Sequence, residues 1–215
     1  MQGAIFDMDG LLIDSEKVWQ RVWRALAAER GVTLGETFSR EIIGTGGEQA
    51  RAVLARHFRT DEPEAILRAC SARVRALEER GVPLKPGVHT ILAGLRAAGY
   101  RVAVASSSPM EMIAHNLRVC GIDGYFDALV SGREAAHSKP EPDVFLLAAE
   151  RIGVQAAECW VFEDSHSGVE AGWRARCRVV MIPDLVPPDA RARERCWGIF
   201  GSLDEAWEAI KKDGV

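Results

Sequence analysis

Four short apolar runs in this 215-residue chain lead into polar residues that could do chemistry. Gly3-Ala-Ile-Phe6 runs into Asp7-Met-Asp9-Gly10. Arg101-Val-Ala-Val-Ala105 runs into Ser106-Ser-Ser-Pro109. Beyond Ala128-Leu-Val130 lies His137-Ser-Lys139-Pro140, and Trp160-Val-Phe162 ends in Glu163-Asp164-Ser165. If these runs are strands of one parallel sheet, their carboxyl ends lie side by side, where such sheets bind ligands. Two carboxylate pairs, a hydroxyl and a lysine would then share one place. Gathered carboxylates repel unless a cation joins them, and hard oxygen donors beside a phosphate suit Mg²⁺. Lys139 adds positive charge for an anionic substrate. Pro109 suits the first turn of a helix whose N–H groups would face that anion. The set fits phosphoryl transfer, with nucleophile, metal, phosphate clamp and general acid together.

The elements that must position these residues are legible in the spacing. The run to Met8 reads as a buried strand. Ser15 to Arg30 reads as a helix, with Val18, Trp19, Val22, Trp23 and Leu26 on one face and Gly31 as its stop. After the Gly-rich break at Gly44–Gly47, helices are predicted over about 48–58 and 63–80. The turn-rich Gly81-Val-Pro-Leu-Lys-Pro-Gly87 then marks a boundary. Beyond it strands and helices alternate: strands at 101–105, 128–130, 160–162 and 178–182, helices at about 88–98, 110–119, 142–152 and 166–176. A strand near Ile199 and a helix from Leu203 follow. This alternation predicts a parallel sheet covered on both faces. The fold class expected is α/β: a Rossmann-like, doubly wound core of residues 1–15 and 82–215, with an inserted α-helical cap of residues 16–81.

Composition narrows the function classes. Hydrophobic residues make up 47% and charged residues 27%, with a formal net charge of −4. That balance is ordinary for a globular protein and gives no drive towards nucleic acid. No apolar run approaches the ~20 residues of a membrane helix. The five cysteines, Cys70, Cys120, Cys159, Cys177 and Cys196, form no C-x-x-C pair and follow no secretory signal. Reduced thiols, a cytoplasmic location and a monomer are the expectations. The five histidines show no metal-ligand spacing.

Phe6-Asp-Met-Asp-Gly-Leu-Leu-Ile-Asp-Ser15 resembles the first signature of the haloacid dehalogenase superfamily, D-x-D-G-x-x-x-D-[ST]. Ser106 after its strand resembles the second motif, Ser138-Lys-Pro-Glu-Pro-Asp143 the third, and Val161-Phe-Glu-Asp-Ser-His-Ser-Gly168 the fourth. One motif alone would be weak; four in order are specific. A helical insert after the first motif resembles the branch containing β-phosphoglucomutase, sugar phosphatases and pseudouridine-5'-phosphatase.

The resemblance implies a Mg²⁺-dependent phosphatase acting on a small phosphorylated metabolite: a phosphosugar, hexitol phosphate or nucleoside monophosphate. Asp7 would attack phosphorus and become an aspartyl phosphate. Asp9 would protonate the leaving alkoxide and then activate water. The metal would take Asp7, the carbonyl of Asp9 and Asp164, with Glu163 as a further or supporting ligand. Ser106, Ser107 and Lys139 would hold the phosphate, and Trp19 would wall the substrate. The superfamily's true dehalogenases lack an acid at the position of Asp9, so an oxygen leaving group is favoured over halide.

A sugar phosphomutase is the nearer alternative. Its cap histidine corresponds to Trp19 here, and its cap lysine and arginine fall at Ile43 and Gly47. Neither of those can hold a second phosphate, although Arg21, Arg24 or Arg51 could. A non-catalytic binding protein is a third reading, opposed by a cluster of charge costly to keep without a reaction. Blander roles attach to several residues. Asp14 is expected to bond the loop after the first strand, and Ser15 to cap the next helix. Ser107 and Ser108 read as turn and cap residues, and Ser165 and Ser167 as caps. Trp19 and Trp23 either pack inside the insert or line its substrate side.

Overall fold

The computed structural model describes residues 2–42, 47–79 and 81–213. It divides into two compact units, Met1–Ile13 with Pro83–Val215, and Asp14–Val82.

The larger unit is built on six parallel strands: β1 (Gly3–Phe6), β2 (Arg101–Ser106), β3 (Ala128–Ser131), β4 (Cys159–Glu163), β5 (Arg178–Met181) and β6 (Cys196–Ile199), in the order β3-β2-β1-β4-β5-β6. The four central strands are apolar runs buried along almost their whole length, as strands covered on both faces must be. Their side chains alternate between faces. Ile5, Ala103, Ala105, Val130, Val161 and Val179 join one apolar cluster with Val144, Phe145 and Ala148 of α7 (Asp143–Arg151) and Val169 and Ala171 of α8 (His166–Arg174). On the opposite face Phe6 and Phe162, register partners on β1 and β4, stack with centroids 4.4 Å apart. There α5 (Val88–Ala97) buries Val88, Ile91, Leu92 and Leu95. It packs against α10 (Leu203–Lys212), whose Trp207 lies so close to Gly94 that a methyl group there would overlap the indole. Burying each such side chain contributes roughly 1.5–3 kcal/mol.

The smaller unit holds α1 (Ser15–Glu29), α2 (Glu36–Ile42), α3 (Gly47–Phe58) and α4 (Pro63–Glu78). Its core is aromatic: Trp23 meets Phe38 and Phe58 edge-on at 5.9 and 6.3 Å. Trp23 is buried there, so the packing reading holds for it. Trp19 is half-buried and lies 5.4 Å from Trp23.

Two helices were not predicted. In α2 Phe38 is the single fully buried residue among those described, and in α9 (Ala190–Arg195) Ala192 is. Neither offers a periodic apolar face, so each leans on its surroundings: α9 is capped by Asp189, which accepts from the Ala192 N–H at 2.7 Å. The helix caps also correct expectation at α1. Asp14 occupies its N-cap position without a side-chain cap bond and pairs with Lys17 at 2.6 Å, while Ser15 is the first helical residue. The positions of Ile43 and Gly44 lie outside the described residues, and Gly47 opens α3. Arg51 pairs with Glu64 at 2.8 Å.

Candidate active site

The strand order reverses between β1 and β4, because β2 and β3 lie to one side of β1 and β4 to β6 to the other. The crevice at such a reversal is where open α/β sheets place their ligands. Asp7 follows β1, and its N–H donates to the carbonyl of Phe162 at 3.0 Å, extending the pairing by one residue. Glu163 ends β4 and Ser106 ends β2.

Lys139 organises this crevice. Its side chain is only 6% exposed. Nζ donates to Asp7 Oδ1 at 2.6 Å, Glu163 Oε1 at 2.7 Å and the Ala105 carbonyl at 3.2 Å, using all three ammonium protons. Phe145 lies beneath it, 4.8 Å from Nζ to the ring centroid. Burial works against its charge, but Asp7 and Glu163 outweigh burial and hold it above the ordinary lysine range. It is an ammonium at any working pH. Asp7 is pushed up, first by burial; Lys139 opposes this, and Glu163 and Asp9 add to it.

Glu163 has both oxygens committed. Oε1 takes Lys139, and Oε2 accepts from the Asp164 N–H, the Ser165 N–H and the Ser165 hydroxyl at 3.0, 3.0 and 2.9 Å. Its carboxylate therefore supports the lysine and the turn. Ser165 also caps α8, accepting from the Gly168 N–H at 3.1 Å, as its sequence position suggested.

Asp9 is held separately. Its Oδ2 accepts from the Ser106 hydroxyl at 3.1 Å and the Ser108 hydroxyl at 2.8 Å. Ser108 is fixed in turn: its N–H donates to Ser106 Oγ, and its carbonyl accepts from the buried Ser131 hydroxyl at 2.6 Å. The direct contact of Ser108 with Asp9 and the role of Ser131 were not anticipated; three consecutive serines in sequence do not say which one turns inward. Ser107 is exposed beside them. Pro109 is the extended N-cap residue of α6 (Met110–Val119).

The structure thus brings Asp7, Asp9, Ser106, Lys139, Glu163 and Asp164 to one end of the sheet. Trp19 belongs to the helical unit. The family model for haloacid dehalogenase-like hydrolases matches residues 1–176. The chain belongs to that family. Hexitol phosphatase B of Escherichia coli is 36% identical over 185 residues, covering 84% of this chain and 82% of the relative. A phosphorylated-carbohydrate phosphatase of Thermotoga maritima is 31% identical, covering all of this chain and 93% of its own. Among solved structures, a haloacid dehalogenase family hydrolase of Deinococcus radiodurans with bound phosphate and sodium superposes with a TM-score of 0.83 at 29% identity, covering all of this chain and 96% of that one.

Hydrolases of this family imply a divalent metal, and the donor set can be tested for it. Among the described residues no three His, Cys, Asp or Glu side chains converge as a ready-made metal cage. Mg²⁺ does not need one, since it binds through one or two carboxylates and keeps much of its water. Two features ask for a cation. Asp164 is pushed well up, first by burial and then by Glu163 and Asp7. Asp184 Oδ2 is buried without a hydrogen-bond partner. The residues fit Mg²⁺. Among the described residues no helix is long and apolar enough to cross a membrane.

Proposed function

We propose that this hydrolase is a Mg²⁺-dependent phosphatase that cleaves a small phosphorylated metabolite through an aspartyl phosphate on Asp7. The observation that carries the reading is the separate holding of two neighbouring carboxylates. Asp7 is gripped by an ammonium, and Asp9 by hydroxyls. Their roles can therefore differ although they lie two residues apart.

Lys139 fixes the Asp7 carboxylate and offsets the charge that accumulates as it approaches a phosphate. An Asp7 oxygen forms a bond to phosphorus while the bond from phosphorus to the ester oxygen breaks. Asp9 gives its proton to the departing alkoxide. Water then attacks phosphorus, Asp9 takes the water's proton, and the bond to Asp7 breaks to release phosphate. Ser106, Ser107 and the adjoining N–H groups hold the phosphate oxygens. Asp7, the Asp9 carbonyl and Asp164 would hold Mg²⁺, which supplies charge neutralisation at the transferring group. Glu163 supports Lys139.

Phosphosugars, hexitol phosphates and nucleoside monophosphates are the substrate classes proposed, and the two carbohydrate-phosphate relatives support the first two. None of the five cysteines forms a disulfide, which supports a reducing, cytoplasmic setting, and a monomer suffices for this chemistry. Phosphate release from a panel of these compounds tests the reading. Release with Mg²⁺, lost with EDTA and lost in Asp7→Asn, is expected. Release that survives Asp7→Asn would refute the covalent route.

A further inference from the structure

Asp184 follows β5, outside the four motifs, in Ile182-Pro-Asp-Leu185. Such a sequence reads as an ordinary turn, yet its side chain is only 8% exposed. Oδ1 accepts from Lys85 Nζ at 2.6 Å. Oδ2 is buried with no hydrogen-bond partner. A buried carboxylate oxygen left in this state is costly, so its presence asks for something to satisfy it.

The surroundings say what that is. Gly10 follows Asp9 with φ +84°, and a methyl group there would overlap Asp164 Oδ2 and come within 3.6 Å of Asp184 Oδ2. The two carboxylates therefore border one small space beside the backbone of the Asp7–Gly10 segment. Lys85 is anchored just beyond that segment: its N–H donates to the Leu12 carbonyl at 2.9 Å, and Leu84 bridges to Ile13. Asp164 thus has Glu163, Asp7 and Asp184 as negative neighbours, with Lys139 and Lys85 as the ammonium groups paired to them. Carboxylates outnumber ammonium groups here, and that excess attracts a hydrated cation.

We infer that Asp184, held in place by Lys85, is a positioning residue of the metal site, its Oδ2 accepting a hydrogen bond from the hydration shell of the bound Mg²⁺. The inference rests on the metal-dependent reading above and extends it to residues outside the four motifs. A cation that keeps most of its water needs acceptors for that water as much as direct ligands. Lys85 holds Asp184 by Oδ1 and so aims Oδ2. In Asp184→Asn the amide oxygen would turn to Lys85 and leave an NH₂ group facing the site, which repels where the carboxylate attracts.

The test is metal affinity itself, with Mn²⁺ as the probe, followed by the electron paramagnetic resonance signal of the free ion, and with Mg²⁺ as competitor. Partners behind a metal's direct ligands typically change affinity by 10–100-fold. The Mn²⁺ Kd of Asp184→Asn is expected to rise about tenfold. The double variant Lys85→Met/Asp184→Asn, which removes both buried charges, should show the same rise. Metal-free urea unfolding of the same proteins separates a structural role, which would lower stability and leave Kd in place. A Kd within twofold of the parent protein in both variants, with Asp164→Asn still weakened, overturns the assignment of Asp184 alone. Absence of Mn²⁺ binding in the parent protein overturns it together with the metal-dependent reading.

Discussion

The carboxylate of Glu163 lies against the Cα of Gly168, in the space a methyl group at Gly168 would need. The contact ties the first turn of α8 to Lys139, because the same Glu163 oxygen that crowds Gly168 most closely accepts from the lysine. Gly168→Ala should therefore act through Glu163. Overpacking of this kind costs about 1–3 kcal/mol, measurable by urea unfolding. Phosphate release should fall as well, because a displaced Glu163 leaves Lys139 poorly aimed at Asp7. Full activity alongside the expected loss of stability would show that Lys139 does not depend on Glu163 for its position.

Ser108 and Ser106 both donate to Asp9 Oδ2. Ser108→Ala removes the shorter of these two bonds and keeps the one from Ser106. A typical hydrogen bond of this kind is worth about 0.5–1.5 kcal/mol, so kcat should drop roughly two- to tenfold. KM should change little, because the proton-transferring group is affected and not the phosphate grip. A rise in KM at constant kcat would instead make Ser108 a substrate contact.

Asp127 supplies a pH-dependent element far from the chemistry. Its carboxylate accepts from the Val102 N–H at 2.8 Å, Arg96 at 2.6 Å and Arg101 at 2.9 Å, joining the start of β2 to the segment before β3. Burial would raise its pKa, but the Val102 N–H and then Arg101 and Arg96 outweigh burial and hold it below the ordinary 3.8. A depressed carboxylate stabilises the fold fully above its unfolded value and loses that contribution as pH falls through its folded value. Asp127→Asn should therefore cost about 1 kcal/mol at neutral pH, allowing for solvent around both arginines. The cost should shrink below about pH 4. Chemical unfolding of both proteins from pH 3 to pH 7 measures it, and a gap that stays constant with pH would assign the effect to packing.

What could be read from the chain follows where the physics was local. Strands such as Val102–Ala105 and Trp160–Phe162 are short apolar runs buried on both faces, so their pattern alone marks them. Helix α2 was invisible because Phe38 alone among its described residues is fully buried. At the site, residue types and strand ends placed Asp7, Asp9, Ser106, Lys139 and Asp164 together. The bond between Lys139 and Glu163 was not legible, because the two residues lie 24 positions apart. Asp184 was missed for a similar reason. Its partner Lys85 is 99 positions distant, and Pro183-Asp184 is compositionally a turn.

The carboxylate cluster also predicts how metal should change stability. In its absence Asp7, Glu163 and Asp164 share a buried space with one compensating ammonium, Lys139. Asp164→Asn removes one negative charge from that space with little change of shape. The metal-free variant should therefore be as stable as the parent protein or more so. Mg²⁺ reverses the comparison. A ligand at a hundredfold excess over its Kd stabilises by about 2.7 kcal/mol. For a chain of this length that is a rise in Tm of roughly 5–10 °C. The parent protein should gain it, and Asp164→Asn, lacking a charged donor, should gain little at the same concentration. Thermal unfolding in EDTA and in Mg²⁺ tests both halves. The two stabilities should cross as metal is added, which a mutation that merely damaged packing could not produce. Parallel curves with no crossing would mean that Asp164 serves the fold and not the cation.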